Sequence, residues 1–313
     1  MESMKAVRVH NYGGPEVLRF EDAPRPTPGS GELLVRVHAV SVNPIDWKVR
    51  AGDMKDYIPL HLPFIPGWDV SGVVEAVGAG VTKFKKGDEV YARPDVVQHG
   101  GAYAEYAVVK ETQTALKPKS VDYVHAATVP VAAVTAWRAL FDTAGLKKNQ
   151  KVLIHGAAGG VGSFAVQLAK WKGAHVIGTA SAKNQSFLRE LGVDEAIDYA
   201  KTRFEDVVHD ADVVLDPIGG DTQSRSWKVL KKGGFLVSIV AQPSTEEATK
   251  HGVRSALINA QADTSVLSEI AKLIDSGKLK PIVETVLPLS EARKAHELNE
   301  GGHARGKVVL KVA

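Results

Sequence analysis

Residues 152–162 read Val152-Leu153-Ile154-His155-Gly156-Ala157-Ala158-Gly159-Gly160-Val161-Gly162, and the fold turns on this stretch. Three apolar residues of strand character run into a glycine-rich turn, and an amphipathic segment with helical spacing follows. The spacing is a variant of the dinucleotide fingerprint, with Ala157 in place of the first glycine and Gly159 and Gly162 at the other two. Gly159 lets a backbone approach a pyrophosphate, and Gly162 lets the helix pack closely on its strand. The helix start, through Ala158, Gly159, Gly160 and Val161, offers free N–H groups and partial positive charge to phosphate. Glycine spacing alone is a weak signal; a strand before it and a helix after it supply the context it needs.

Working outward, strands and helices alternate. The pattern predicts strands at 151–155, 175–179, 212–215 and 235–240, with helices at 161–172, 183–191 and 222–230. Such alternation implies an α/β fold with a doubly wound, Rossmann-type parallel sheet. Upstream the chain is β-rich, with short segments at 5–9, 32–39, 69–77, 89–92 and 103–109 between Gly and Pro punctuation. An Ala-rich apolar stretch with helical spacing, 124–141, is interrupted by Pro130. After a predicted helix at 266–275, residues 281–287 and 307–312 are β-like again, so the C-terminus is expected to rejoin the first domain. The expected division is 1–121 with 263–313, and 122–262.

The end of the second strand of the unit bears on which dinucleotide is bound. An NAD site usually places an acid there for the ribose hydroxyls. The run His175-Val176-Ile177-Gly178-Thr179-Ala180-Ser181-Ala182-Lys183 has none, and Ser181 and Lys183 suit a 2′-phosphate, so NADPH is the expected cofactor. The alternative for Lys183 is the solvated start of a helix.

Composition narrows the rest. The chain has 313 residues, 44% of them apolar, and a formal net charge of +3 with scattered lysines, which does not point to nucleic acid. Zero cysteines exclude disulfides, thiol chemistry and cysteine-ligated metals. The apolar runs are strand-sized, far below the ~20 residues of a membrane helix. The first ten residues carry no apolar signal core, and Met4 offers an alternative start. A cytoplasmic location is expected.

The residues also carry a resemblance. Gly14-Pro15-Glu16-Val17-Leu18, Val40-Ser41-Val42-Asn43-Pro44-Ile45-Asp46, Pro66-Gly67-Trp68-Asp69-Val70-Ser71-Gly72, Gly87-Asp88-Glu89-Val90-Tyr91 and Gly306-Lys307-Val308-Val309-Leu310 together resemble the medium-chain dehydrogenase/reductase superfamily. Within it the chain is similar to the zinc-free quinone oxidoreductase branch, the relatives of zeta-crystallin and plant enone reductases. The resemblance implies a GroES-like catalytic domain built from both chain ends, an active site in the cleft between domains, and a homodimer or homotetramer. Zinc-dependent members use a Cys and a His where this chain has Asn43 and Trp68. Without a Lewis acid alcohol oxidation is disfavoured, and an electron-poor acceptor, a quinone or enone, is the expected substrate.

By family position, Asn43, Lys48 and Tyr57 are the expected catalytic residues, with Asp46 nearby. Asn43 would sit beside the nicotinamide, although an Asx turn before Pro44 explains it as well. Lys48 would donate to the acceptor oxygen or be merely solvated, and Tyr57 would be a stacking wall or a packing aromatic. Around the cofactor the resemblance implies Thr135, Tyr199, Asp216, Ile218, Gly219, Ile239, Val240 and Ala241. Arg305 and Lys307 would close over it or lie on the surface. Three functions stay open: a quinone or enone reductase, a reductase of alkenals or enoyl thioesters, and a non-enzymatic NADPH-binding protein.

Overall fold

Punctuated apolar segments become strands throughout the first third of the chain: β1 (Ser3–Val9), β2 (Leu18–Pro24), β3 (Glu32–Ser41), β4 (Val70–Val77), β5 (Glu89–Ala92), β6 (Tyr106–Lys110) and β7 (Thr114–Leu116). The structure is a computed structural model that describes residues 2–259, 261–302 and 304–313. Met1, where an N-terminal extension would begin, lies outside the described residues. β1 and β2 form an antiparallel hairpin, and β3 pairs antiparallel with both β4 and β6. β3 is buried along most of its length, because it carries Val35, Val37 and Val40 into the core of this unit.

The alternating region supplies β8 (Lys151–Ile154), β9 (His175–Ala180), β10 (Glu195–Asp198), β11 (Ala211–Asp216), β12 (Leu230–Ser238) and β13 (Arg254–Leu257). They form one parallel sheet in the order β10-β9-β8-β11-β12-β13. β10 and β13 were not legible in the sequence: they are the two edge strands, and their half-exposed residues lack a continuous apolar run. Central strands such as β8 and β11 are buried on both faces, as crossover helices require. Truncating a fully buried Leu153 to alanine in this core is expected to cost ~2–5 kcal/mol.

The 124–141 stretch is not one helix. It divides into Tyr123–Ala126, Ala132–Trp137 and a π-helical turn, Arg138–Thr143. Pro130 lacks an N–H and cannot continue the first piece. The next N–H, that of Val131, is instead taken by Asp69 Oδ1 at 2.7 Å.

The chain returns through β14 (Val283–Pro288) and β15 (Lys307–Lys311), with β15 adding antiparallel to β3. Both chain ends thus build one mixed sheet. The helices here are Thr264–Asp275 and Ala292–Glu300, the second of which the sequence reading missed. One compact unit comprises Met1–Val131, Ala262–Gly277 and Pro281–Ala313, and the other comprises Ala132–Gln261 and Lys278–Lys280. The architecture is a Rossmann-type sheet plus a GroES-like β-rich unit drawn from both ends. Among the described residues, no helix is long and apolar enough to cross a membrane.

Candidate active site

β8 ends at Ile154 and the chain turns through Gly156, whose φ of +55° disfavours any side chain. The left-handed residue therefore stands one position before Ala157, where the motif spacing puts the first glycine. Ala157 itself is buried and donates its N–H to Thr179 O at 3.0 Å. A Cβ on Gly162 would lie 2.2 Å from Gly156 O and 2.7 Å from Ala157 Cα, so only glycine lets the helix start this close to the turn.

Gly159 behaves differently. A Cβ there would meet a single protein atom within 4 Å, Gly156 O at 3.3 Å, so the protein leaves that side open. Gly159 is also the N-cap of the helix Gly160–Lys172 and brings no side chain to its first N–H groups. Those N–H groups lack intrahelical partners and carry the positive end of the helix dipole. An open glycine beside them suits a pyrophosphate.

The strand order reverses direction at β8 and β11, and ligands bind beyond the carboxyl ends of the strands at such a point. The two loops there touch: a Cβ on Gly156 would come within 3.2 Å of Ile218 Cδ1. Asp216 is fully buried and shapes its own loop. Its Oδ1 accepts the N–H groups of Ile218 (3.0 Å) and Gly219 (2.8 Å), and its Oδ2 accepts Gln223 Nε2 at 2.9 Å. Ile239, Val240 and Ala241 lie just past β12 rather than within it, with Ser238 Oγ accepting the N–H groups of Val240 and Ala241 at 3.3 Å each. Ile218 and Val240 expose their apolar side chains at this edge. Thr135 is nearly buried in the helix Ala132–Trp137, which packs on Gly160–Lys172.

At the end of β9, Ala180 is buried where an acid would select a free ribose hydroxyl. Ser181 follows as the cap of a 3-10 turn, Ala182–Asn184, that carries the exposed Lys183 before the helix Gln185–Glu190. Tyr199, exposed, is tied to the same strand end by its N–H to Ala180 O at 3.3 Å. Two cations absent from the sequence-based set, Arg189 and Lys201, line a groove there with Ala182 and Gln185. The position of Arg189 six residues after Lys183 in an otherwise ordinary helix gave no signal for this.

In the GroES-like unit the sequence-selected residues separate. Tyr57 is 81% exposed, and Lys48 is half-buried with its Nζ 5.6 Å from the centre of the Trp47 ring. Asn43 is buried, and it is the N-cap of the helix Pro44–Ala51 without using its side chain for that purpose. Asp46 Oδ2 accepts the Asn43 N–H at 2.7 Å, the returning half of a capping box. The Asn43 amide points to other partners: Nδ2 donates to Asp69 Oδ2 at 2.7 Å, and Oδ1 accepts from Lys307 Nζ. The Asn43 side chain is therefore held in a buried network at the start of this helix. Lys307, for which a surface place was one expectation, is only 3% exposed, since its Nζ also donates to Val42 O at 2.9 Å. Arg305 donates its N–H to Glu284 Oε2 at 3.2 Å. Asp46 is buried on every side, and that burial raises its carboxyl to about 7.

These residues do not make a metal site. Trp68 packs in an apolar cluster with Val9, Val49, Phe64 and Val96, and the Asn43 carbonyl oxygen is already engaged. Among the described residues no group of three His, Cys, Asp or Glu side chains could hold a metal ion.

Two family models match: an alcohol dehydrogenase GroES-like domain over residues 29–119, and a zinc-binding dehydrogenase domain over residues 191–310. A chloroplast envelope quinone oxidoreductase homolog of Arabidopsis thaliana is 36% identical, over 98% of each chain. The chain belongs to the medium-chain dehydrogenase/reductase superfamily. Its place in the superfamily is the zinc-free quinone oxidoreductase branch, consistent with Asn43 and Trp68. A chloroplastic NADPH-dependent alkenal/one oxidoreductase of Arabidopsis thaliana is 38% identical, over 99% of this chain and 80% of the relative. The solved quinone oxidoreductase from Coxiella burnetii superposes with a TM-score of 0.93 at 37% identity, covering 100% of each chain. A superfamily member with this donor set is expected to keep its activity after exhaustive chelation and to purify without stoichiometric zinc. One zinc per chain by elemental analysis, lost together with activity, would contradict this.

Proposed function

We propose that the chain is a zinc-independent, NADPH-dependent reductase of quinones or other α,β-unsaturated carbonyl compounds. The observation that carries this reading is the turn at Gly156–Gly162, with its open Gly159 at the switch point of the sheet, followed by a β9 end without an acid. A bound nicotinamide would supply hydride to an electron-poor acceptor.

In this reading Ala158, Gly159, Gly160 and Val161 hold the pyrophosphate. Ser181, Lys183 and Tyr199 receive the 2′-phosphate, and Arg189 and Lys201, which line the neighbouring groove together with Asp198, add positive charge. Ile218 and residues 239–241 present an apolar edge and backbone groups to the nicotinamide, and Thr135 lies near it. Asp216 shapes that edge through the loop it caps. Lys48 donates to the oxygen on which negative charge develops, and Tyr57 flanks the acceptor. The support for these roles is the family position of each residue. Asn43 and Lys307 act from inside the fold, because their polar atoms are engaged with each other.

NADPH oxidation assayed against quinones, enones and enoyl thioesters tests the reading. Turnover of thioesters alone would favour the second kind of reductase, and binding without turnover would leave a non-enzymatic NADPH-binding protein. A charge-assisted bond from lysine to phosphate contributes ~1.5–3 kcal/mol, roughly 10- to 100-fold in affinity. Lys183→Ala is therefore expected to weaken NADPH by about that factor in kcat/KM at low salt and to leave NADH nearly unchanged. An equal loss for both cofactors would remove Lys183 from the phosphate site.

A homodimer or homotetramer is part of the proposal, and light scattering on the purified protein tests it. The cysteine-free composition is the support for a cytoplasmic location, whereas the plant relatives are named for the chloroplast. Fractionation of source cells decides between these compartments.

A further inference from the structure

Lys307 is a buried cation that the reaction as described does not use. Its Nζ donates to Val42 O at 2.9 Å and to Asn43 Oδ1, and lies 3.7 Å from Asp69 Oδ2. Asp69 is 0% exposed and accepts the Asn43 Nδ2 at 2.7 Å, the Ser41 hydroxyl at 2.5 Å and the Val131 N–H at 2.7 Å. The ammonium, the amide and the carboxylate come from β15, the segment after β3 and the residue just before β4, so distant parts of one unit converge on a single point. By the family resemblance, Asn43 and Trp68, beside Asp69, stand where zinc-dependent members place metal ligands.

We propose that Lys307 is the internal cation of this zinc-free site, and that Lys307 and Asp69 together are positioning residues that fix the Asn43 amide and the backbone leading into the Pro44–Ala51 helix. The role in catalysis rests on the function proposed above; the charge pairing does not.

Asn43 has two ends of opposite polarity, and each meets its complement: the carbonyl oxygen faces an ammonium and the NH2 faces a carboxylate. Flipping the amide would oppose donor to donor and oxygen to oxygen among buried groups. Lys307 also holds Val42 O, so the peptide just before the helix is fixed together with the side chain. That helix carries Lys48, the residue offered to the acceptor oxygen. Burial pushes the Lys307 ammonium down, and the carboxylates of Asp69 and Asp46 pull it back up. A neutral residue at 307 would strip the buried Asp69 carboxylate of the ammonium 3.7 Å away and leave the Arg93 guanidinium as the other cation acting on it.

The test is a charge cycle on the full-length protein: Lys307→Met, Asp69→Asn and the double variant, each measured for Tm, kcat and KM. Lys307→Met keeps most of the stem and loses the charge, so Tm is expected to fall by about 10 °C. In the double variant the carboxylate that lost its ammonium is gone, and Tm is expected to recover by at least about half of that loss. The kcat with a quinone is expected to fall about tenfold or more in Lys307→Met, with a smaller change in KM for NADPH, and to stay low in the double variant because nothing then holds Asn43 Oδ1. A Lys307→Met protein too unstable to purify, beside a soluble double variant, gives the same support.

Additive Tm losses, or a double variant no more stable than Lys307→Met, would overturn the charge pairing. A recovered Tm with kcat unchanged throughout would overturn the positioning role. Should the unmodified protein reduce no quinone, enone or enoyl thioester, the proposed function fails while the Tm cycle still decides the pairing.

Discussion

Gly159→Val is expected to give a folded protein that no longer binds NADPH, and Gly162→Val a protein that does not fold stably. Both glycines belong to one motif, but they meet different surroundings. At Gly159 the backbone has a φ of −79° and a ψ of −176°, an extended conformation open to valine, and a Cβ would touch only Gly156 O at 3.3 Å. The added side chain instead fills the space beside the first helical N–H groups, where the pyrophosphate would lie. Affinity for NADPH is expected to drop by more than about 100-fold, with Tm within a few degrees of the parent.

At Gly162 the conflict is with the protein itself. A Cβ would stand 2.2 Å from one backbone oxygen and 2.7 Å from a backbone carbon of the same turn. Neither atom can move without separating the helix from β8, and a loss of more than about 3 kcal/mol is expected. Calorimetry and cofactor titration on the two variants check both statements. Equal losses of stability would show that Gly159 is a packing glycine.

The second large effect is expected in acid. His155 is buried between Thr179 Oγ1 (3.1 Å) and Ser226 Oγ (3.0 Å), and burial pushes its ring down to about 4. His296 lies between Arg50 Nη1 (3.1 Å) and the Tyr103 hydroxyl (3.2 Å), and burial, aided by the Arg50 charge, pushes it to about 3. Because guanidinium only donates, His296 Nδ1 must accept, and the neutral ring then donates from Nε2 to Tyr103. Both rings bind protons in the unfolded chain below about 6.5 but not in the folded one, so stability falls as pH drops from about 6.5 toward 4. Each is worth about 3 to 5 kcal/mol by pH 3 on this reckoning.

Asp46 acts in the opposite sense. Its folded carboxyl, raised to about 7, holds a proton that the unfolded chain releases above about 4, so this residue adds stability as pH falls from 7 toward 4. Two histidines against one carboxyl leave a net loss in acid, of about 1.4 kcal/mol per pH unit between roughly pH 6 and 4.5. Asp46→Asn removes the opposing group, and its stability is expected to fall about twice as steeply over the same range. Urea unfolding at a series of pH values measures both slopes, and a shallower slope in Asp46→Asn would reverse the assignment.

Asn43 illustrates what could and could not be read in advance. Its local sequence, Asn-Pro with an acid three residues on, permits an Asx turn or a helix cap, and Asp46 does return a bond to the Asn43 N–H. Lys307 and Asp69 hold the side chain from far along the chain, which no local pattern announces. Lys307 shows the same limit. A lysine in a Gly-Lys-Val-Val-Leu run reads as closing over a cofactor or lying on the surface, and only the placement of β15 beside β3 makes it a core residue. The edge strands β10 and β13 escaped notice for a related reason, because pairing with β9 and β12 supplies the stability that their own composition lacks.

The sequence by itself determined the alternation that makes a parallel sheet, the glycine turn that opens it to a dinucleotide, the absence of cysteine ligands and the acid-free end of β9. Those features are local: each depends on the period of apolar residues, on a backbone conformation or on a residue type that is simply missing. Tertiary structure alone decided that a Cβ at Gly159 would meet one backbone oxygen at 3.3 Å while one at Gly162 would collide with three backbone atoms, that Arg189 and Lys201 share a groove beside Ser181, and that an ammonium from the last strand holds the Asn43 amide. Each of these rests on where atoms far apart in the chain come to lie, and burial then sets the charge and hydrogen bonding that a side chain can afford.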